Sequence, residues 1–380
     1  MDPETNLGPI IYMSPGSNPG AQKMDCAQTK ENRASMHVDL PRSNCGRRAI
    51  RGLVTLANLL VLAACSRPAS PGAAASGDAT SGIQLAVIPQ STGGEFWETV
   101  EKGARRSARE LGVRIRWEGT VTETEIAEQN KIIENMVNLG VAGIAVAPLN
   151  YRGTKQAVAN AVNAGVPVVI FDSDVEGDTH SSFVATDNRK GGVMAAGHLH
   201  KLLGAGQHRV MVMRFVQGSA GTEERADGFI LAARENGSIV AADPYPDTGT
   251  VEGCKTAAAN SLERFVKAGR LELDGIFACN LYSTLGVLFA LDDLRRTGIA
   301  VKVRFVGFDT SPRLVKEMLA GTIDALVLQN AEKMGYLVVQ TMYKVVQKQK
   351  VDRVIDTGVE LVTKERWDRE PAIRALMESP

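Results

Sequence analysis

Polar side chains follow three predicted strands in the C-terminal half of the chain. Asn280 follows the apolar run 276–279, Asp309 follows 306–308, and Gln329 follows 327–328. Asparagine and glutamine amides donate and accept hydrogen bonds at once, which matches a hydroxyl group that does both. A carboxylate accepts from two neighbouring hydroxyls, and its charge strengthens both bonds. These residue types at strand ends therefore favour the binding of hydroxyl groups.

Sequence signatures of catalysis and of cofactor binding do not occur in the right context. The chain has no phosphate-binding Gly-x-x-x-x-Gly-Lys-Ser/Thr, no dinucleotide-type Gly-x-Gly-x-x-Gly after a strand, and no Gly-x-Ser-x-Gly elbow. His198 and His200 are two positions apart on a predicted helix, where side chains point in different directions, so they are poor joint metal ligands. The sequence predicts no enzyme, no cofactor and no metal site.

From Ile83 onward, short apolar runs alternate with helical patterns, which is typical of parallel βαβ units. The first series has predicted strands at 84–89, 113–117, 143–147, 167–171 and 182–185, and helices at 95–111, 123–139 and 152–164. The second series has strands at 209–214, 238–242, 274–278, 303–307 and 324–328, and helices at 188–203, 222–236, 250–268, 281–297 and 311–320. A helix at 331–348 and a strand at 353–357 follow. The pattern predicts an α/β fold of two doubly wound parallel-sheet lobes, with a cleft at the facing carboxyl ends of their strands.

Length and charge agree with a two-lobed protein that holds its ligand by local contacts. The chain has 380 residues, and Lys plus Arg and Asp plus Glu both total 43. A chain of this length exceeds the usual single domain. With no net charge, it has no field to gather nucleic acid or anionic lipid.

The N-terminal region has the order of features of a bacterial lipoprotein signal. Arginines precede the apolar run from Leu53 to Ala64, which is shorter than the roughly 20 residues of a membrane span. The run ends in Leu62-Ala63-Ala64-Cys65, which resembles a lipobox. We therefore expect residues 1–64 to be a leader with signal peptide, Cys65 to carry lipid, and residues 65–81 to be a flexible tether. A short buried apolar segment is the alternative.

Four strand-end segments together resemble the ribose-binding family of periplasmic sugar-binding proteins. They are Ile144-Ala145-Val146-Ala147-Pro148, Pro167-Val168-Val169-Ile170-Phe171-Asp172, Ala185-Thr186-Asp187-Asn188 and Val306-Gly307-Phe308-Asp309. The resemblance covers about residues 83–365. It implies the type I periplasmic-binding fold with a three-strand hinge, and a lipid-anchored protein of the periplasm or cell envelope that delivers a sugar or polyol to the permease of an ABC importer.

The resemblance also assigns residues of the first lobe to the ligand site. It places Ser91 in a polar loop and Phe96 and Trp97 as stacking platforms for the C–H faces of a sugar, unless the rings belong to the core. Asp172 would accept from hydroxyls. Ser173 stands where the family usually has arginine, which puts ribose or pyranose specificity in doubt. Asp174, next along the chain, equally fits a loop cap.

In the second lobe, the resemblance assigns Arg225, Asn280, Asp309 and Gln329 to the ligand. For Arg225 the alternative is a surface arginine paired with Glu223 or Glu224. For Asp309 it is the N-cap of the following helix. Leu281 stands where relatives often have a carboxylate, which indicates a change of specificity.

Lobe boundaries and partners complete the expectations. The first lobe would comprise residues 82–186 and 330–358, and the second 187–329 and 359–380. The protein would be a monomer that binds no nucleic acid. A ligand-binding sensor and a transcription regulator of the lactose-repressor type remain alternatives, although no helix-turn-helix pattern precedes Ile83. Sequence does not decide whether Cys254 and Cys279 pair.

Overall fold

The computed structural model describes residues 82–378. The predicted leader, Cys65 and tether lie outside these residues. The strands are β1 (Gln84–Ile88), β2 (Arg114–Trp117), β3 (Gly143–Val146), β4 (Val168–Phe171), β5 (Ser182–Ala185), β6 (Arg209–Met213), β7 (Ile239–Ala242), β8 (Val266–Lys267), β9 (Arg270–Leu271), β10 (Gly275–Ala278), β11 (Arg304–Phe308), β12 (Ala325–Gln329), β13 (Val354–Asp356) and β14 (Val359–Val362). The helices are α1 (Glu95–Leu111), α2 (Ile126–Asn138), α3 (Lys155–Asn163), α4 (Asn188–Leu203), α5 (Ala220–Glu235), α6 (Val251–Glu263), α7 (Leu281–Arg296), α8 (Pro312–Ala320), α9 (Ala331–Val346), α10 (Lys364–Arg369) and α11 (Pro371–Glu378).

Two six-stranded sheets carry the fold. The first has the order β13-β5-β4-β3-β1-β2, with all neighbours parallel. The second has the order β14-β12-β11-β10-β6-β7, in which only β14 runs antiparallel to its neighbour β12. The α/β class with two lobes of largely parallel sheet is confirmed.

Each inner strand is covered by helices on both faces, which explains the nearly unbroken apolar runs in the sequence. Along β1, Leu85 and Val87 face the core that α1 and α9 cover, while Ala86 and Ile88 face the core under α2 and α3. This alternation follows from the two-residue period of a strand. The second sheet packs in the same way between its own helices.

Close packing of α4 against α5 positions one of the candidate site residues. A Cβ atom on Gly192 of α4 would lie 2.0 Å from the carbonyl oxygen of Arg225 on α5, and one on Gly228 would lie 2.4 Å from the carbonyl oxygen of Arg189. The two backbones approach this closely only because both positions are glycine. The backbone of Arg225 is therefore held firmly against α4.

Three segments connect the sheets: β5 to α4, β12 to α9, and β13 to β14. The prediction of one helix over 250–268 is wrong at its end, because α6 stops at Glu263 and the chain forms the β8–β9 hairpin. The sequence analysis also missed β14, α10 and α11. Cys254 and Cys279 are both buried and unpaired.

Candidate functional site

A cavity lies at the carboxyl ends of the strands, where the two lobes meet. About 450 Å³ of empty space, part of it open to solvent, is enclosed there. Its lining combines aromatic rings, carboxylates, amides, hydroxyls and one guanidinium, from Gln90, Phe96, Trp97, Glu123, Asp172, Ser219, Gly221, Thr222, Arg225, Asn280, Leu281, Tyr282, Asp309 and Gln329. A lining of flat rings and hydrogen-bonding groups suits a small polar ligand.

The structure brings seven of the nine sequence-predicted ligand residues to this cavity. These are Phe96, Trp97, Asp172, Arg225, Asn280, Asp309 and Gln329. Ser91 and Ser173 do not line it. The Ser91 hydroxyl is hydrogen-bonded to the backbone of Gly93 and to the phenol of Tyr282. The Ser173 hydroxyl accepts a 3.0 Å bond from the backbone N–H of Gly221 on the other lobe.

The two aromatic rings at the start of α1 both belong to the core and to the cavity. Phe96 and Trp97 meet edge to face, with ring centroids 4.9 Å apart. Trp97 is buried and packs against Phe171, whereas Phe96 is half-buried. The indole Nε1 of Trp97 donates a 2.8 Å bond to Oε1 of Glu123, which holds its ring in place. Phe96 is therefore the better placed of the two rings to stack on a ligand.

Asp172 sits directly after β4 in a backbone conformation that few residues other than glycine adopt. Its φ is +61°, and its backbone N–H donates to the carbonyl oxygen of Val184. The side chain is 7% exposed, yet its Oδ1 has no hydrogen-bond partner in the described part of the chain. Strained backbone and an unpartnered buried oxygen are both features that collect at ligand sites. Asp174, in contrast, accepts from the backbone N–H of Val175 as a local loop contact.

Arg225 is buried in the second lobe, so its alternative assignment to the surface is wrong. Its Nε donates to Oδ1 of Asn188 at 2.8 Å, and its Nη1 donates to the carbonyl oxygen of Cys279 at 3.1 Å. The guanidinium carbon lies 4.1 Å from the ring centre of Phe308, a cation–π contact. Three neighbours therefore fix the orientation of the guanidinium plane. Glu223 pairs with Arg214 instead.

Asp309 and Gln329 form a bonded pair at the ends of β11 and β12. Gln329 donates from Nε2 to Oδ1 of Asp309 at 2.8 Å, while Oδ2 accepts from the backbone N–H of Leu281 at 3.1 Å. Oε1 of Gln329 is buried without a partner among the described residues. The capping role considered for Asp309 is wrong, because Ser311 caps α8 by accepting from the backbone N–H of Leu314.

Asn280 caps α7 and faces the cavity at the same time. Its Oδ1 accepts from the backbone N–H of Ser283 at 2.9 Å and from its hydroxyl at 2.8 Å. Because its oxygen is occupied by this capping box, Asn280 offers a ligand the two N–H bonds of Nδ2.

Glu123 is one of the lining residues that sequence reasoning missed, with Gln90, Ser219, Gly221, Thr222 and Tyr282. The pattern placed it inside a helix over 123–139, but α2 begins at Ile126, and Glu123 lies in the loop that follows β2. It is 8% exposed. Burial raises the pKa of Glu123 to about 7, and the charges of Asp172 and Asp309 add to the rise, while the Trp97 bond and Arg225 oppose it. Glu123 lies six residues beyond the end of β2, so the strand-end rule did not identify it.

Carboxylates outnumber cations in the cavity, and the pKa values of these carboxylates are raised. Burial raises the pKa of Asp172 to about 6, an effect that Arg225 opposes and Asp309 reinforces. Burial also raises the pKa of Asp309, against the influence of Arg225, Gln329 and the backbone of Leu281. Glu123, Asp172 and Asp309 thus share the single guanidinium that lines this part of the described structure.

Direct contacts between the lobes close the cleft around the cavity. The backbone N–H of Tyr151 donates to the carbonyl oxygen of Gly218 at 2.8 Å, and Nδ2 of Asn150 donates to the carbonyl oxygen of Gln217 at 3.4 Å. Gly218 has φ +85°, and a Cβ atom there would lie 2.3 Å from Nδ2 of Asn150. The closed arrangement therefore depends on glycine at this position.

Two other features, a metal-binding cluster and a membrane-spanning helix, do not occur in residues 82–378. No group of three His, Cys, Asp or Glu side chains is arranged to hold a metal ion. None of the helices in this range is both long enough and apolar enough to cross a membrane.

Comparisons with known proteins agree with the geometry. A family model described as a periplasmic binding protein domain matches residues 85–350. The ribose import binding protein of Bacillus subtilis is 25% identical over 83% of this chain and 99% of its own length. The structure of the periplasmic component of an ABC-type sugar transport system from Hahella chejuensis is 30% identical, with a TM-score of 0.69 over 74% of this chain and 99% of its own. A carbohydrate transporter solute-binding protein from Agrobacterium radiobacter, solved with D-arabinose, is 28% identical, with a TM-score of 0.71 over 78% and 99%.

Proposed function

Because the chain belongs to the periplasmic binding protein domain family, we propose that it is the solute-binding component of an ABC importer for a sugar or related polyol. One observation carries the proposal: buried, unpartnered oxygens face one cavity from both lobes. Oδ1 of Asp172 belongs to the first lobe and Oε1 of Gln329 to the second. A buried acceptor without a donor costs roughly 1–3 kcal/mol, and ligand hydroxyls would remove that cost on both sides.

Ligand binding and lobe closure are coupled in this mechanism. A polyol between the lobes would donate to Asp172 and Asp309, accept from Arg225 and from Nδ2 of Asn280, and lay its C–H face on Phe96. The ligand stabilises the closed form because it contacts both lobes only there. The permease would recognise that closed form.

We propose the lobe boundaries expected from the sequence, residues 82–186 with 330–358 and residues 187–329 with 359–380. The sheet membership of the strands supports them. The three connecting segments would then act as the hinge. Ser91 and Ser173 would contribute through contacts between the lobes, since Ser173 bonds Gly221 across the cleft.

The protein would act as a monomer at the outer face of a membrane, in the periplasm or cell envelope, held by lipid on Cys65. The order of basic, apolar and small residues before Cys65 supports the anchor. Replacing Cys65 with serine should move the protein from the membrane fraction to the soluble fraction of cells. Retention of the Cys65→Ser variant in the membrane fraction would contradict lipid anchoring at this residue.

The function is tested by titrating the purified protein with D-ribose, D-allose, D-arabinose, D-glucose, D-galactose and inositol. Specific binding raises the melting temperature by mass action, and calorimetry gives the affinity. We expect at least one of these ligands, or an amine derivative of one, to bind. Failure of all of them with folded protein would refute a sugar or polyol ligand.

A further inference from the structure

The cavity holds more negative charge than its one cation can neutralise. Glu123, Asp172 and Asp309 are each more than nine-tenths buried, and Arg225 is the one cationic side chain among the described residues that line the cavity. Two donors of Arg225 are already used by Asn188 and by the carbonyl oxygen of Cys279. Ser173, moreover, stands where the family resemblance leads us to expect a second arginine.

Unpartnered acceptors accompany this charge. Oδ1 of Asp172 and Oε1 of Gln329 are buried without donors in the described structure, and Glu123 accepts a hydrogen bond from Trp97. A ligand that fills the cavity must therefore supply donors in excess of acceptors. An ammonium group has three donors, no acceptor and a positive charge. It can therefore donate to the unpartnered oxygens and also neutralise a carboxylate.

Two other sources of positive charge are less suited to the site. The carboxylates are not arranged to hold a metal ion, since no such group of side chains occurs in residues 82–378. A proton shared among the acids would neutralise charge, but it would satisfy only one acceptor. An organic ammonium also gains from the ring of Phe96, which lines the same cavity, because ring faces attract cations.

We propose that the ligand is a polyol that carries an amine, an amino sugar or amino cyclitol, and that Glu123 is the residue that selects the ammonium group. This inference rests on the proposed function and narrows its ligand class. Asp172 and Gln329 accept the remaining donors, while Arg225 and Nδ2 of Asn280 bind ligand hydroxyl oxygens.

The proposal predicts a pH dependence of binding that is steeper for an amine than for a neutral sugar. Glu123 shares the cavity with Asp172, Asp309, Arg225 and Tyr282, and its pKa is raised to about 7 chiefly by burial. An ammonium favours ionised Glu123, so binding releases its proton. If the ligand lowers this pKa to about 5, affinity rises roughly 20-fold between about pH 5.5 and about pH 7.5. A neutral polyol should show a smaller rise over the same range, because burial raises the pKa of Asp172 to about 6 and its ionised form is the stronger acceptor.

The test compares each amine with its neutral parent by calorimetry on the whole protein. Suitable pairs are glucosamine with glucose, galactosamine with galactose, and an amino-inositol with inositol. We expect one amine to bind at least about tenfold more tightly than its parent near pH 7.5 and to lose roughly 20-fold in affinity near pH 5.5. In Glu123→Gln, which keeps an acceptor for Trp97, the preference for the amine should disappear and the pH dependence should fall to that of the neutral parent.

A matched control is Glu128→Gln, which removes an exposed carboxylate paired with Lys131 and should change neither affinity nor profile. Neutral parents that bind as tightly as their amines, in wild-type protein, would overturn this inference and leave the proposed function standing. Absence of binding by every sugar, polyol and amine would overturn both. The wild-type comparison decides the question even if the Glu123 variant does not fold.

Discussion

Replacing Asp172 with asparagine is expected to stabilise the ligand-free protein while weakening ligand binding. Asparagine has the shape of aspartate and tolerates the positive φ of 61° at this position. Asparagine carries no charge, however, whereas burial makes the negative charge of ionised Asp172 unfavourable in the folded protein. The substitution therefore separates the contribution of Asp172 to the site from its effect on the fold.

The magnitude follows from the acidity of Asp172. Burial raises its pKa from 3.8 to about 6, with Arg225 opposing and Asp309 reinforcing the shift. At about 1.36 kcal/mol per pK unit, the ionised form costs the folded state about 3 kcal/mol. Because the folded-state pKa is raised, the favourable contribution is complete below pH 3.8 and is lost as the pH rises through 6. Asparagine does not titrate, so the variant should gain about 3 kcal/mol near pH 8 and under about 1 kcal/mol near pH 4.

Chemical unfolding of both proteins at the two pH values measures this difference, and titration with ligand measures the accompanying loss of affinity. We expect the loss to be on the order of 2 kcal/mol, since a ligand donor loses a charged acceptor. Glu128→Gln, a change at an exposed acid, should alter stability by less than about 0.5 kcal/mol. A variant that is less stable than wild type near pH 8, or a gain that does not depend on pH, would refute the reasoning.

Three further predictions concern single residues. Arg225→Ala should weaken ligand binding by on the order of 2 kcal/mol by calorimetry, because ligand oxygens lose their donor; unchanged affinity would mean that the site is misplaced. Gly218→Ala should weaken binding and expand the liganded protein in small-angle scattering, because its Cβ would lie 2.3 Å from Nδ2 of Asn150. The control is Gly112→Ala, which also places alanine at a positive φ but has open space around its Cβ. Backbone strain alone should therefore leave binding and the size of the liganded protein unchanged in the control. Cys279, whose pKa burial raises to about 12, should resist thiol reagents until the protein unfolds; rapid labelling of native protein would contradict its burial.

Most of the fold could be predicted because its signals are local. Apolar runs such as 168–171 alternate with helical patterns, and each strand was placed within one or two residues of its observed bounds, apart from the hairpin and β14. The hairpin at 264–271 was missed because Ala268 takes a positive φ of 46° there, which alanine seldom does. Its following residue, Gly269, was the only turn signal in that segment. Strand β14 pairs antiparallel with β12 after the chain has crossed between sheets, so no pattern in the neighbouring residues predicted this strand.

The candidate site was predicted where strand ends carry polar residues, and missed where burial decides the role. Asp172, Asn280, Asp309 and Gln329 lie at strand ends or within two residues of them, so the rule that ligands bind at carboxyl ends was sufficient. Glu123 looked like one more acid at the start of a solvated helix. Only the approach of Trp97 and the second lobe buries it and raises its pKa to about 7.

Most strands and helices, the two-lobed class and the polar residues at strand ends could be predicted from local patterns, because periodicity and turn chemistry act over a few residues. Only the folded structure shows that Asp309 pairs with Gln329 and with the N-terminus of α7 and not with that of α8, that Ser173 bonds Gly221 between the lobes, and that Glu123 joins the cavity. These contacts depend on groups distant in sequence being brought together out of water. The charge balance of the site arises at that level.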